Sequence, residues 1–346
     1  MKKILLFISL IVCLMLGIPI GVVGLGSMKK DIEVTKKVEK APEAKKKEEV
    51  APTNNTGDIP IKVYYKAQDK VITMNMEEYI KLVVSSEMPA SFHEEALKAQ
   101  SVAARSFLVP KMKVAGGSGC PKAKGADVCS EVHCQAFLPK EERMKKWGAE
   151  ADSKWRKVSS SVEATRGMVL SYNNEIAKSI KYFSTSGGKT EDSQFVFGHS
   201  QPYLRSVESK GEEKAPNFTS VQKVSRSEFV SKVKSKYSDA KLDPKNLEKQ
   251  IKITDKTVGN RVKNVYIGGK SLTGVEMRSL FSLKSANFAF TFDKDSVIFN
   301  VKGYGHGVGM SQWGANEMGK TGKKYNEILT HYYTGIKIDE YKKYIK

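Results

Sequence analysis

Residues 76–89 read Met76-Glu77-Glu78-Tyr79-Ile80-Lys81-Leu82-Val83-Val84-Ser85-Ser86-Glu87-Met88-Pro89. Met76, Tyr79/Ile80 and Val83/Val84 recur at helical spacing, and Glu87 is the next position on that apolar stripe. A carboxyl group therefore stands where the pattern asks for leucine. Pro89 disfavours helix at Met88, so Glu87 falls in the last turn, where apolar neighbours and the negative end of the helix dipole both oppose ionisation. Both effects predict a raised pKa. A raised-pKa glutamate holds a proton near neutral pH and can protonate a glycosidic oxygen, which is a poor leaving group until protonated. The competing reading is a snorkelling side chain at a frayed helix end.

The following residues build a corner around Glu87. Ser91-Phe92-His93-Glu94 has the form of a capping box and is expected to launch a second helix through Phe107, rich in small residues that permit close packing. Hairpins are expected within 59–75, within 167–183 around Asn173-Asn174, and within 288–303. Helices are expected at 76–88, 92–108, 227–237, 311–319 and 325–333. The order is neither regular βαβ nor all-β, so the fold class is α+β: mixed hairpins and helices forming one large domain or two lobes.

The string EEYIKLVVSSEMPASFHEEALKAQSVAARSF resembles the signature of the sporulation protein D family of peptidoglycan lytic transglycosylases. STSGGKTEDSQFVFG (184–198), LTGVEMRSLFSLKSANF (272–288) and GYGHGVGMSQWGANEMGKTGKKYNEILTHYYTG (303–335) are similar to the family's remaining blocks, in order and at compatible spacing. The resemblance spans most of residues 59–338 and implies a two-lobed catalytic domain with a substrate groove. It implies a general acid at Glu87, cleavage of MurNAc–GlcNAc bonds with 1,6-anhydro-MurNAc formation, and strands already stripped of stem peptides. It further implies forespore engulfment during sporulation as the setting, with stage II sporulation proteins P and M as partners in a membrane complex.

The ends and the charge suit an envelope protein. Residues 4–26 are uncharged and long enough to span a hydrocarbon core of about 30 Å, with Lys2 and Lys3 before them. The favoured reading makes 1–27 an uncleaved signal anchor with the C-terminal mass outside the membrane; a cleaved signal peptide is the alternative. Residues 28–58 alternate lysine and glutamate around two prolines and read as a charged flexible linker, leaving 59–346 as the catalytic domain. The ten lysines and seven acids of residues 1–58 account for only three of the twenty net positive charges. Such an excess favours a polyanion. No nucleic-acid-binding motif is present, and wall polymers are acidic partners on the expected side of the membrane. A basic surface that merely aids solubility is the competing reading.

Cys120, Cys129 and Cys134 lie within fifteen residues, with His133 beside the last. Together they form a Cys3His set that suits closed, structural Zn²⁺. The alternative is a disulfide such as Cys120 to Cys129 with a free thiol. The family resemblance implies a metal-binding loop here, at least in clostridial members.

Candidate sugar contacts come from two glycine-rich blocks. Ser184, Thr185, Ser186, Gly187 and Gly188 offer hydroxyls and close backbone approach, although a glycine hairpin bend reads equally well. The alternate glycines of Gly303 to Gly314 suggest a tightly packed strand feeding a helix near Ser311, and neither P-loop nor dinucleotide spacing is present. The resemblance places this block along the groove, with Tyr304, His306 and Gln312 as contacts; a packing role for His306 is the competing reading. Arg105, in the second helix, joins the candidates. Asp192 and Glu276 are the nearest options for a second carboxylate, each reading better as a structural or solvated charge. Two other classes stay open: a noncatalytic glycan-binding scaffold of the amidase-enhancer kind, and a Cys/His peptidase or zinc hydrolase, against which the clustered Cys3His set argues.

Overall fold

The computed structural model describes residues 59–345 apart from Val132. The expected anchor at 1–27 and linker at 28–58 lie outside the described residues, within which no helix is long and apolar enough to cross a membrane. The architecture is mixed α+β, with helices packed on several small sheets.

The chain opens with the expected hairpin, β1 (Pro60–Tyr65) against β2 (Lys70–Asn75). α1 (Met76–Glu87) follows directly, and its apolar stripe buries Met76, Tyr79, Ile80, Val83 and Val84. It stops at Glu87 because Met88 is extended (φ −122°, ψ 143°), as a residue before proline prefers. α2 (Glu94–Leu108) packs against α1, its buried Ala96, Ala99, Ala103 and Ala104 letting the two backbones approach.

The N-cap of α2 is His93 rather than Ser91: His93 Nδ1 accepts from Glu95 N. Tertiary contacts set that start. The backbone N–H of His93 donates to Asn316 Oδ1 (2.8 Å), and Phe92 packs edge-on to Trp313 at 4.8 Å. These contacts fix residues 92–93 before the local serine can cap.

β3 (Val128–Cys129) adds in parallel to β1. Two helices that the apolar pattern had not revealed, α3 (Lys140–Trp147) and α4 (Ala151–Glu163), then cover α1. α3 buries none of its residues, so it carries no apolar stripe to read. The expected hairpin within 167–183 is only partly formed. β4 (Met168–Tyr172) pairs with β5 (Glu175–Ile176) across Asn173-Asn174, both at positive φ as a type I′ turn requires. β6 (Tyr182–Phe183) instead pairs elsewhere.

Residues 219–302 build a second hydrophobic core. It comprises β7 (Thr219–Ser225), α5 (Arg226–Lys236), the antiparallel ladder β8 (Ile251–Lys256), β9 (Val262–Ile267) and β10 (Lys270–Thr273), α6 (Gly274–Phe281), and the expected hairpin β11 (Phe288–Phe292) with β12 (Ser296–Lys302). Phe229 stacks on Phe281 (4.8 Å), and Phe281 meets Phe299 at a tilt (5.1 Å). Such aromatic pairs contribute about 0.5–1.5 kcal/mol each beyond their burial. The first core resumes with β13 (Met310–Ser311), parallel to β6, then α7 (Gln312–Lys320), α8 (Tyr325–Tyr332) and β14 (Lys337–Glu340) beside β4.

Residues 303–309 do not form the expected strand. Gly303, Gly305, Gly307 and Gly309 all have positive φ, and a Cβ at Gly309 would collide with the Lys181 carbonyl. The alternate glycines encode an alternately left-handed ribbon rather than a pleated one.

Candidate active site

Glu87, the last residue of α1, is half-buried. The backbone N–H of Ala136 donates to its Oε1 at 2.7 Å, and Gln312 Nε2 lies 3.5 Å from Oε2. Burial raises its pKa, against the opposing pull of those two donors. No cation forms an ion pair with it among the described residues.

Three elements converge on this carboxyl. α7 presents Gln312, which is expected from the sequence; its amide N–H also faces Gln100 Oε1 at 3.5 Å. Gln100 is fully buried on α2, and its Nε2 has no hydrogen-bond partner among the described residues. The loop after Cys134 supplies Ala136 and Gln135. Gln135 accepts from the Tyr182 hydroxyl (2.6 Å) and donates to the Tyr79 hydroxyl (3.3 Å). Burial holds both phenols protonated, with the Glu87 charge adding to the effect at Tyr182. Gln100, Gln135, Ala136 and Tyr182 were missed in the sequence. Gln100 carried the same signal as Glu87, a polar residue on the small-residue stripe of its helix; a backbone donor such as Ala136 carries none.

The metal cluster abuts this loop. Cys120, Cys129, His133 and Cys134 place their donor atoms within 4.8 Å of one another, with His133 Nε2 3.1 Å from Cys120 Sγ and 3.3 Å from Cys129 Sγ. All three thiols are free. A tetrahedral zinc with ligands at about 2.0–2.3 Å separates its donors by roughly 3.3–3.8 Å, so the set fits that ion after a small contraction. Burial pushes the Cys129 thiol up and the Cys134 thiol up to about 12, an expense that a bound cation removes.

The remaining candidates separate into interior and exposed groups. Arg105 is corrected from sugar contact to architecture. It is fully buried, its Nε and Nη2 donate to the two oxygens of Glu77 (2.9 and 2.7 Å), and its Nη1 donates to Met168 O (2.8 Å). It has no face to offer a ligand. Ser186 is likewise interior: its N–H and Oγ donate to buried Glu212, which also accepts from Ser209 and Ser311. Thr185 is buried and pairs through its backbone with Tyr304 (2.8 and 3.0 Å). Ser184, Gly187 and Gly188 are half-buried, and the Tyr304 ring is 44% exposed.

His306 packs between Phe183 (5.5 Å) and Phe197 (5.4 Å), and its Nδ1 accepts from Val308 N. Burial, with nearby Lys181, Arg278 and Arg261, lowers its pKa to about 3, so the imidazole is neutral at physiological pH. Neither candidate second carboxylate faces Glu87. Asp192 accepts from Ser206 N and Arg205. Glu276 closes the capping box of α6, accepting from Thr273 N–H and from Tyr237 and Lys236; these donors hold it at about 2 despite partial burial.

A desolvated carboxyl held by a backbone donor, with no cation beside it among the described residues, is chemically able to give and take a proton. The comparisons with known proteins agree in placing the chain. The family model described as Stage II sporulation protein matches residues 64–172, which include Glu87 and the Cys3His cluster. Stage II sporulation protein D of Bacillus subtilis (strain 168) is 38% identical over 290 residues, 84% of this chain and 82% of that one. Its counterpart from Bacillus amyloliquefaciens is 36% identical over 289 residues, 84% and 81%. The chain belongs to the stage II sporulation protein D family, a sporulation family. It is also similar to the amidase enhancer of Bacillus subtilis (strain 168), 28% identical over 312 residues, which cover 76% of this chain and 40% of that protein.

Proposed function

We propose that this protein is a membrane-anchored peptidoglycan lytic transglycosylase that cleaves MurNAc–GlcNAc bonds of peptide-stripped strands during engulfment of the forespore. The observation that carries the reading is Glu87: a raised-pKa carboxyl, half-buried, with no cation and no facing carboxylate. Hydrolases of the ordinary kind need two carboxylates flanking the bond. A transglycosylase needs one that acts twice.

In the first step the Glu87 carboxyl donates its proton to the glycosidic oxygen, the C1–O bond breaks, and GlcNAc leaves as an alcohol. In the second, the Glu87 carboxylate takes the proton from the MurNAc C6 hydroxyl. That oxygen bonds to C1, closing the 1,6-anhydro ring and returning Glu87 to its acid form. Water is not consumed. Ala136 N–H steadies the carboxylate between the steps, and Gln312 orients the other oxygen. Cys120, Cys129, His133 and Cys134 would hold one structural Zn²⁺, which closes the loop carrying Gln135 and Ala136 and takes no part in the chemistry. Stage II sporulation proteins P and M are the proposed partners: the first strips the stem peptides, and both join the membrane complex.

Mass spectrometry of products from peptide-free strands tests the reading. Fragments ending in 1,6-anhydro-MurNAc from wild type and not from Glu87→Gln support it; reducing ends in their place would show hydrolysis. Similarity to an amidase enhancer favours a second reading, a noncatalytic glycan-binding scaffold. Strand binding without fragments from either protein would replace the first reading by the second.

A further inference from the structure

A groove of about 500 Å³ lies on the second core, away from Glu87, between the Gly187 turn, the end of β8 and the outer face of the β11–β12–β7 sheet. Its chemistry is one-sided. Lys256 and Lys302 line it, both exposed and without an acidic partner among the described residues, and no Asp or Glu is in the lining. Asn260, Asn287 and Asn300 add three carboxamides whose side chains make no hydrogen bond among the described residues. The floor is small and mixed, with two apolar side chains on either side of a carboxamide. Val221, 65% exposed, and Ala289 flank Asn300 in one cross-strand row.

Unpaired cations beside free carboxamides and a shallow, partly apolar floor suit a ligand with one carboxylate, several hydroxyl or acetamido groups and an apolar ring face. They do not suit a protein helix, which needs a long apolar stripe to dock. We propose that this groove is a second saccharide subsite whose lysines recognise the lactyl carboxylate that an amidase exposes when it removes a stem peptide from MurNAc. An intact stem ends the lactyl group in a neutral amide; amide hydrolysis replaces it with an anion. The subsite therefore reads the product of the preceding reaction.

The proposal rests on the wall-glycan reading of the chain but not on Glu87 chemistry. Position supports it. Gly187 lines the groove, and Ser184, at the other end of the same turn, accepts from Trp313 N beside Gln312. Three residues span at most about 11 Å, so the groove lies within that chain distance of the Ser184–Trp313 contact beside Gln312.

The test is equilibrium binding of the ectodomain to amidase-stripped strands and to the same strands after chemical reduction of their carboxylates to alcohols. Wild type is expected to bind the native strands about ten-fold more tightly than the reduced ones, a difference of roughly 1.4 kcal/mol. Lys256→Gln/Lys302→Gln is expected to bind both alike, at the weaker affinity, with an unchanged melting temperature because both side chains are exposed. Equal binding of the two strands by wild type overturns the proposal, as does undiminished discrimination by the double variant. Displacement of stripped strands by polyglycerol phosphate at equal charge concentration would reassign the groove to a phosphate polymer and so also overturns it. Binding needs no turnover: absence of anhydro products with discrimination intact would sink the transglycosylase reading alone.

Discussion

The two ends of α1 carry carboxyl groups of opposite kind, one buried and one half-buried. At its start Glu77 is 2% exposed and gripped bidentately by Arg105, with Gly167 N–H as a further donor. At its end Glu87 has one firm donor, from a backbone amide, and no cation. The helix dipole widens the contrast, since it favours an anion at the first turn and opposes one at the last. A carboxylate with a guanidinium is a fixed strut. A carboxyl without one, in a similar setting, is free to take up and release a proton, the role proposed for Glu87. Burial alone does not distinguish structure from chemistry; the partner does.

Substitutions at each end break the comparison differently. Glu87→Gln should lower the rate of anhydro-product release by about 10²–10⁴-fold, the range for losing a general acid–base, while circular dichroism shows an intact fold. Arg105→Met should instead strand Glu77 as an uncompensated buried charge and cost about 3–5 kcal/mol in urea unfolding. Adding Glu77→Met should recover most of that loss. If Arg105→Met leaves stability unchanged, the strut interpretation fails.

Metal removal probes the loop between the two. The purified ectodomain should contain one zinc per chain by elemental analysis, falling to a small fraction in Cys129→Ser. Chelation should lower its melting temperature while the Glu77–Arg105 end stays protected from amide exchange. Gln312→Ala should reduce the rate by roughly ten-fold or less, as expected for a long, orienting hydrogen bond. The smallest effect concerns pH. The folded state raises the Glu87 pKa, so the stabilising contribution of its proton is complete below the unfolded carboxyl pKa of about 4.3 and is lost as pH rises through the folded value. Glu87→Gln should therefore gain stability relative to wild type as pH rises above the unfolded carboxyl value of about 4.3; a relative loss would mean the carboxylate is the favoured native form.

How much the sequence disclosed depended on the kind of signal. α1, α2, α5 and α8 were readable because each lays an apolar stripe on a core, α7 from the glycine run that leads into its Ser311 cap, and Glu87 was readable as a flaw in such a stripe. α3 has no buried residue and left no stripe. β8 to β10 stayed hidden because their buried positions are few and broken by lysines and other polar residues, whereas α6 carried a signal that went unread, the Thr273–Glu276 capping box ahead of buried Met277 and Phe281. The Cys3His cluster was legible from spacing, and the structure brings those four donors together. Arg105 misled because a lone basic residue looks the same in sequence whether it faces a ligand or a buried glutamate 28 residues earlier.

The strands that carry the chain into and out of the second core are neighbours. Thr219 pairs with Lys302, and Gly303 N–H donates to Phe218 O at 2.8 Å. That outer body is thus a closed excursion with entrance and exit zipped together, like a pocket sewn onto a garment. Because the seam holds both ends side by side, a change of length or surface within the excursion need not move the helix corner that holds Glu87.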